Sequence, residues 1–146
     1  MSTFILIIYI FICDMIPKLK DILFENKKAK NGDCYEAAGR LAIEGIRGLG
    51  VLRKYKDKIV LVHGVVLNSL DYMPMSHAWV EVGNTCYDYS NGRSIKLSKS
   101  KYYHAGAIGE LMKKGYKQGR YKGMEVAEAV LKHGHWGPWK NIGVNR

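Results

Sequence analysis

Three residues of this chain have types and an order that could do nucleophilic chemistry: Cys34, His77 and Asp88. A thiol can attack a carbonyl carbon, an imidazole can carry the thiol's proton, and a carboxylate can hold the imidazole in one orientation. Cys34 lies in Asn-Gly-Asp-Cys-Tyr-Glu (31–36), while His77 and Asp88 stand either side of Gly83-Asn84. A Gly-Asn pair between two short β-forming runs is a two-residue hairpin signal. That loop pairs Val82 with Thr85, Trp79 with Asp88 and His77 with Ser90. Residues two apart on a strand share a face, so His77 and Asp88 become diagonal neighbours with Cβ atoms roughly 6–7 Å apart. The same register puts Trp79, Glu81 and Cys86 on their face, and Ala78, Val80, Val82, Thr85, Tyr87 and Tyr89 on the other.

These residues need elements to position them. Asp33 is a candidate N-cap, with Glu36 three residues on in a capping-box-like pattern. Cys34 then takes the first helical position. Ala38, Leu41, Ala42 and Gly45 follow it at helical spacing, which puts Cys34 on an inward stripe that Gly48 and Gly50 end. A helix start offers free N–H groups and partial positive charge, both favourable to a thiolate and to an oxyanion beside it. Residues 59–67 form an apolar strand, the hairpin supplies two more, and residues 94–97 add a short edge strand after the Asn91-Gly92 turn. The remainder reads as helix over 103–114 and, more clearly, over 123–133. Gly-His-Trp-Gly-Pro-Trp (134–139) stops the second of these.

Composition bounds the reading. A chain of 146 residues, 47% hydrophobic and without an internal repeat, is expected to be one domain. Lys and Arg number 23 against 13 Asp and Glu, a formal charge of +10. This excess suits an acidic partner or a well-solvated surface, and no nucleic-acid motif accompanies it, so no specific nucleic acid is expected. Three cysteines without a C-x-x-C pair suggest neither a disulfide framework nor a zinc knuckle, and the default compartment is the cytoplasm. Residues 4–13 are apolar but short of the ~20 that span a bilayer, and they lack a signal peptide's basic start. They form a buried strand or an extension upstream of a start at Met15; both readings stay open. A helix can begin at Pro17.

A Cys opening a helix, His-Ala-Trp-Val-Glu-Val on one strand and Tyr-Asp-Tyr on the next resemble the transglutaminase-like branch of the papain-like cysteine hydrolases. The quoted motifs span residues 31–92. The resemblance implies an α+β domain, with the nucleophile-bearing helix packed against an antiparallel sheet. It also implies Cys34 as nucleophile, His77 as base and Asp88 as orienter, acting on a peptide or protein substrate without a cofactor. The acyl group would pass to water or to an amine. One departure is plain: no Gln precedes Cys34, where papain-like proteases supply an oxyanion donor. Asn31 is the nearest amide for that task, and Trp79 is a candidate pocket wall. The closing Gly-His-Trp-Gly-Pro-Trp resembles the end of small bacterial and phage proteins, which would extend the default compartment to a host cytoplasm.

Duller explanations compete at each position. A lone Cys is commonly inert packing, and Trp79 is as well suited to the core as to a pocket. His63 is a rival base on the neighbouring strand but has no acidic neighbour in sequence. Cys86 has no helix start to activate it. His133 and His135 read as tail packing, without a third ligand for a metal. A non-catalytic basic binding module on the same fold is the alternative from a different class.

Overall fold

The chain's computed structural model describes residues 33–144. The apolar segment 4–13, the helix expected from Pro17, Cys13 and the candidate oxyanion donor Asn31 lie outside the described residues. Helix α1 runs over Cys34–Ile46 and buries Cys34, Ala38, Leu41, Ala42 and Gly45, the stripe that the spacing predicts. The capping box does not form. Asp33 stands at the N-cap with φ −103° and ψ 39°, away from the extended geometry that aims a capping side chain, and makes no side-chain cap bond. Glu36 instead takes Arg40 Nε and Nη2 at 3.0 and 2.7 Å, one turn further on.

Five antiparallel strands follow: β1 (Ile59–Leu67), β2 (Pro74–Val82), β3 (Thr85–Asp88), β4 (Ile95–Ser98) and β5 (Gly119–Lys122). They lie in the order β4-β3-β2-β1-β5. The fold of the described residues is therefore α+β, an antiparallel sheet with helices packed against it. β5 went unforeseen: its residues, Gly-Arg-Tyr-Lys, include one buried large side chain, Tyr121, and no apolar run. The helix expected over 103–114 is two helices, α2 (Lys99–Ala105) and α3 (Ile108–Lys113), broken where Ala107 adopts a left-handed conformation with φ 50°. Helix α4 covers Met124–His133 and stops at Gly134, whose φ of 70° suits glycine. Among the described residues no helix is long and apolar enough to cross a membrane.

Period-two alternation divides the buried side chains between the sheet's faces. Ile59 and Leu61 of β1, Ala78, Val80 and Val82 of β2, and Tyr87 and Tyr121 pack against α1. Val62, Trp79 and Cys86 point the other way, where Tyr102 of α2 and Ile108 of α3 cover them. Gly64 sits under the Trp79 ring, and a Cβ there would meet Trp79 Cη2 at 2.6 Å. The indole thus fills space that a larger residue at position 64 would take.

Candidate active site

The hairpin closes with the two-residue loop: Val82 pairs with Thr85, Glu81 with Cys86 and Val80 with Tyr87. The predicted pairings of Trp79 with Asp88 and of His77 with Ser90 lie beyond the observed ladder. Strand β3 ends at Asp88, which pairs outward with Ile95 of β4, and the chain turns through Ser90–Gly92. Asp88 Oδ2 accepts from His77 Nε2 at 2.8 Å, so the diagonal expected from the register is realised as a hydrogen bond. Both residues are nearly sealed, at 5% and 4% exposure.

Two further residues hold the carboxylate. Ser90 donates to Asp88 Oδ1 through its backbone N–H at 3.0 Å and its hydroxyl at 2.6 Å. Tyr102 donates its hydroxyl to Oδ2 at 2.8 Å. Neither was foreseen. The Asp-x-Ser spacing is a local turn signal that could have found Ser90. Tyr102 lies fourteen residues from Asp88 on a separate helix, and nothing local announces it.

Cys34 reaches this pair from an unexpected side. The body of α1 covers the face opposite His77, but Cys34 opens the helix, and α1 packs against both β2 and the Ser90–Gly92 turn. β3 pairs with β2 only from Val80 onward, so among the described residues no strand lies beside β2 on that side at His77. With Nε2 bound to Asp88, Nδ1 is the ring nitrogen left for the thiol. Nδ1 makes no well-formed hydrogen bond, yet Cys34 stands close enough to favour the charged ring. Burial opposes charge on His77. The Asp88 and Cys34 side chains outweigh it and raise the imidazole from 6.5 to about 9. Burial likewise opposes the Asp88 anion, but His77 and the Ser90 bonds hold it well below the usual carboxylate range. At neutral pH the pair is imidazolium and carboxylate.

Glu81 forms a second buried carboxylate on the same face. Its Oε1 accepts from Trp79 Nε1 at 3.0 Å and Tyr103 Oη at 2.6 Å, and its Oε2 meets Arg120 Nη2 at 2.5 Å and Lys99 Nζ at 3.1 Å. Burial would raise its pKa, but Arg120, Tyr103 and Trp79 lower it from 4.5 to about 2. Across the hairpin, burial and the Glu81 charge push the Cys86 thiol up to about 12, which removes it as a nucleophile.

The other candidates resolve as follows. Trp79 is wholly buried with its ring stacked 6.3 Å from His77, so it supports the imidazole from within the core and does not wall a pocket. His63 points to the α1 side, wedged between Tyr35, Tyr121 and Trp139 at 4.7–5.1 Å, away from Asp88. His133 and His135 lie 5.9 Å apart, with His133 stacked on Trp139. Among the described residues no three His, Cys, Asp or Glu side chains converge as a metal would need. An open groove of about 530 Å³ leads to His77, Asp88 and Tyr102 between the β1–β2 loop and β4; Leu70, Met75 and Leu97 give it apolar walls, and Arg93 its cation. Cys34 is not among its lining residues.

In comparison with known proteins, no family model, curated protein or solved structure matches this chain.

Proposed function

We propose that the chain is a cysteine-dependent amide hydrolase of the papain-like, transglutaminase-like kind, acting on a peptide or isopeptide bond through Cys34, His77 and Asp88. One observation carries this reading: a sealed imidazole bonded through Nε2 to a buried carboxylate, with a helix-opening thiol acting on its charge. In the reaction the Cys34 thiolate attacks the carbonyl carbon and a C–S bond forms. The imidazolium of His77 gives its proton to the leaving nitrogen as the C–N bond breaks. Water then attacks the thioester, His77 takes the water's proton, the C–S bond breaks, and the carboxylic acid leaves as the thiolate and imidazolium are restored. Asp88 fixes the ring throughout. In this reading, stabilisation of the developing oxyanion is assigned to the free first-turn N–H groups of α1. An amine in place of water would make the same acyl-enzyme a transferase intermediate.

The test joins labelling to turnover. Iodoacetamide should modify Cys34 at least ~10-fold faster than Cys86 or Cys13 at mildly acidic pH, read by peptide mass spectrometry. Hydrolysis of a fluorogenic peptide pool should vanish in Cys34→Ala. Equal labelling of the three thiols, or hydrolysis that survives Cys34→Ala, overturns the reading.

A further inference from the structure

Asp88 has a full set of donors, and one of them comes from outside its own hairpin and turn. His77 Nε2 and Tyr102 Oη both donate to Oδ2 at 2.8 Å, while Ser90 supplies both bonds to Oδ1. Tyr102 is buried and comes from α2, on the sheet face opposite α1. Its neighbour Tyr103 makes the corresponding bond to the other buried carboxylate, Glu81, at 2.6 Å. Two adjacent tyrosines on one short helix thus serve two carboxylates, of which one touches an imidazole.

We infer that Tyr102 is a positioning residue for the His77–Asp88 pair: its hydroxyl shares Oδ2 with the imidazole, fixes the carboxylate, and limits how strongly Asp88 holds the ring proton. The catalytic meaning of this inference rests on the hydrolase reading above. The physical reason is competition. A carboxylate oxygen that already accepts one strong hydrogen bond is a weaker base toward the second donor. Without the hydroxyl, Asp88 would depend on His77 alone at Oδ2, and the imidazolium would become a poorer acid toward a leaving group. Burial and the Asp88 charge push the Tyr102 hydroxyl far above its usual range, so it stays a donor at every working pH and cannot accept the imidazole's proton. The groups that act on His77 are Cys34 from α1, Asp88 from β3 and, through Asp88, Tyr102 from α2. Arg93 stands beyond Ser90, bonded to its carbonyl and hydroxyl.

The experiment is an NMR titration of labelled histidine in the full chain carrying Cys34→Ala, with His77 assigned by His77→Gln. Tyr102→Phe should raise the His77 pKa by ~0.5–1 unit, and Tyr103→Phe should leave it in place. If Tyr102→Phe fails to fold, 3-fluorotyrosine at position 102 keeps the shape and strengthens the donor, and His77 should then titrate lower. In the chain with Cys34 intact, Tyr102→Phe should lower kcat ~10-fold with KM unchanged and move the alkaline limb of the rate profile upward. A His77 titration that neither substitution at position 102 moves, or that both tyrosine variants move alike, overturns the inference. The titration needs no turnover, so a shifted His77 in a chain that hydrolyses nothing sinks the hydrolase reading alone. Hydrolysis with an unshifted His77 sinks this inference alone.

Discussion

Asp88 and Glu81 are two buried carboxylates on one face of one hairpin, each held by four donors, and they are built for different ends. Glu81 faces two permanent cations, Arg120 and Lys99, whose outer ends reach solvent. Asp88 faces an imidazole that can lose its charge, largely buried at the inner end of the groove. The first arrangement gives the same interaction across ordinary pH and ties α2 and β5 to the sheet. The second responds to a proton. A carboxylate's burial therefore says little about its role; the titration range of its partner says much more.

The largest effect that should separate the two sites is on rate. Asp88→Asn should lower turnover on the order of 10⁴-fold, because the wrong imidazole tautomer is favoured, while the fold persists. Adding His77→Ala to it should cost little more, since the two residues act as one unit. Glu81→Gln should leave the rate per folded molecule nearly unchanged and lower stability by about 2 kcal/mol, read by urea unfolding. Activity lost in Glu81→Gln but kept in Asp88→Asn would reverse the assignment.

A smaller effect should appear in stability against pH. His77 is raised from 6.5 to about 9, so its contribution is complete below pH 6.5 and is lost as pH rises through 9. Glu81 is lowered from 4.5 to about 2, so its contribution is complete above pH 4.5 and is lost as pH falls through 2. Between pH 6.5 and 9 the chain should lose up to about 3 kcal/mol, and His77→Gln should abolish that slope. Glu81→Gln should flatten only the acid limb. An alkaline slope that survives His77→Gln would show that another group is responsible.

The smallest effect concerns Cys86, which lies beside Glu81 with its thiol at about 12. It should react with a disulfide reagent only as the protein unfolds, and Cys86→Ala should leave turnover within about twofold of the parent. Fast modification of folded Cys86 would mean that the Glu81 side of the sheet opens.

Much of this was legible from sequence because the signals were local. Gly83-Asn84 set the hairpin register, and that register alone brought His77 to Asp88. The stripe from Cys34 to Gly45 marked the buried side of α1, and the apolar run of β1 has the predicted bounds. What escaped was non-local. Tyr102 meets Asp88 only because α2 folds back over the sheet. β5 is a strand because β1 offers an edge to it, not because Gly-Arg-Tyr-Lys prefers one. The wrap of α1 around the opposite face was equally hidden, since spacing reports a helix's buried stripe and not the layer that receives it. Asp33 and Glu36 carried a capping pattern that did not form, and Glu36 pairs with Arg40 one turn on.

The sheet's order has a consequence for how these molecules meet one another. Its two outermost strands are only four residues long, and among the described residues no strand lies beyond either of them. Such an edge can recruit a strand from a second molecule and begin a ribbon that has no natural end. Here Lys96 stands exposed on one rim and Lys122 on the other, so like charges would confront each other as two rims approached. Part of the +10 charge thus works as insulation that keeps the sheet finite. That insulation thins as salt rises, because the screening length shrinks from about 10 Å at 0.1 M to about 3 Å at 1 M.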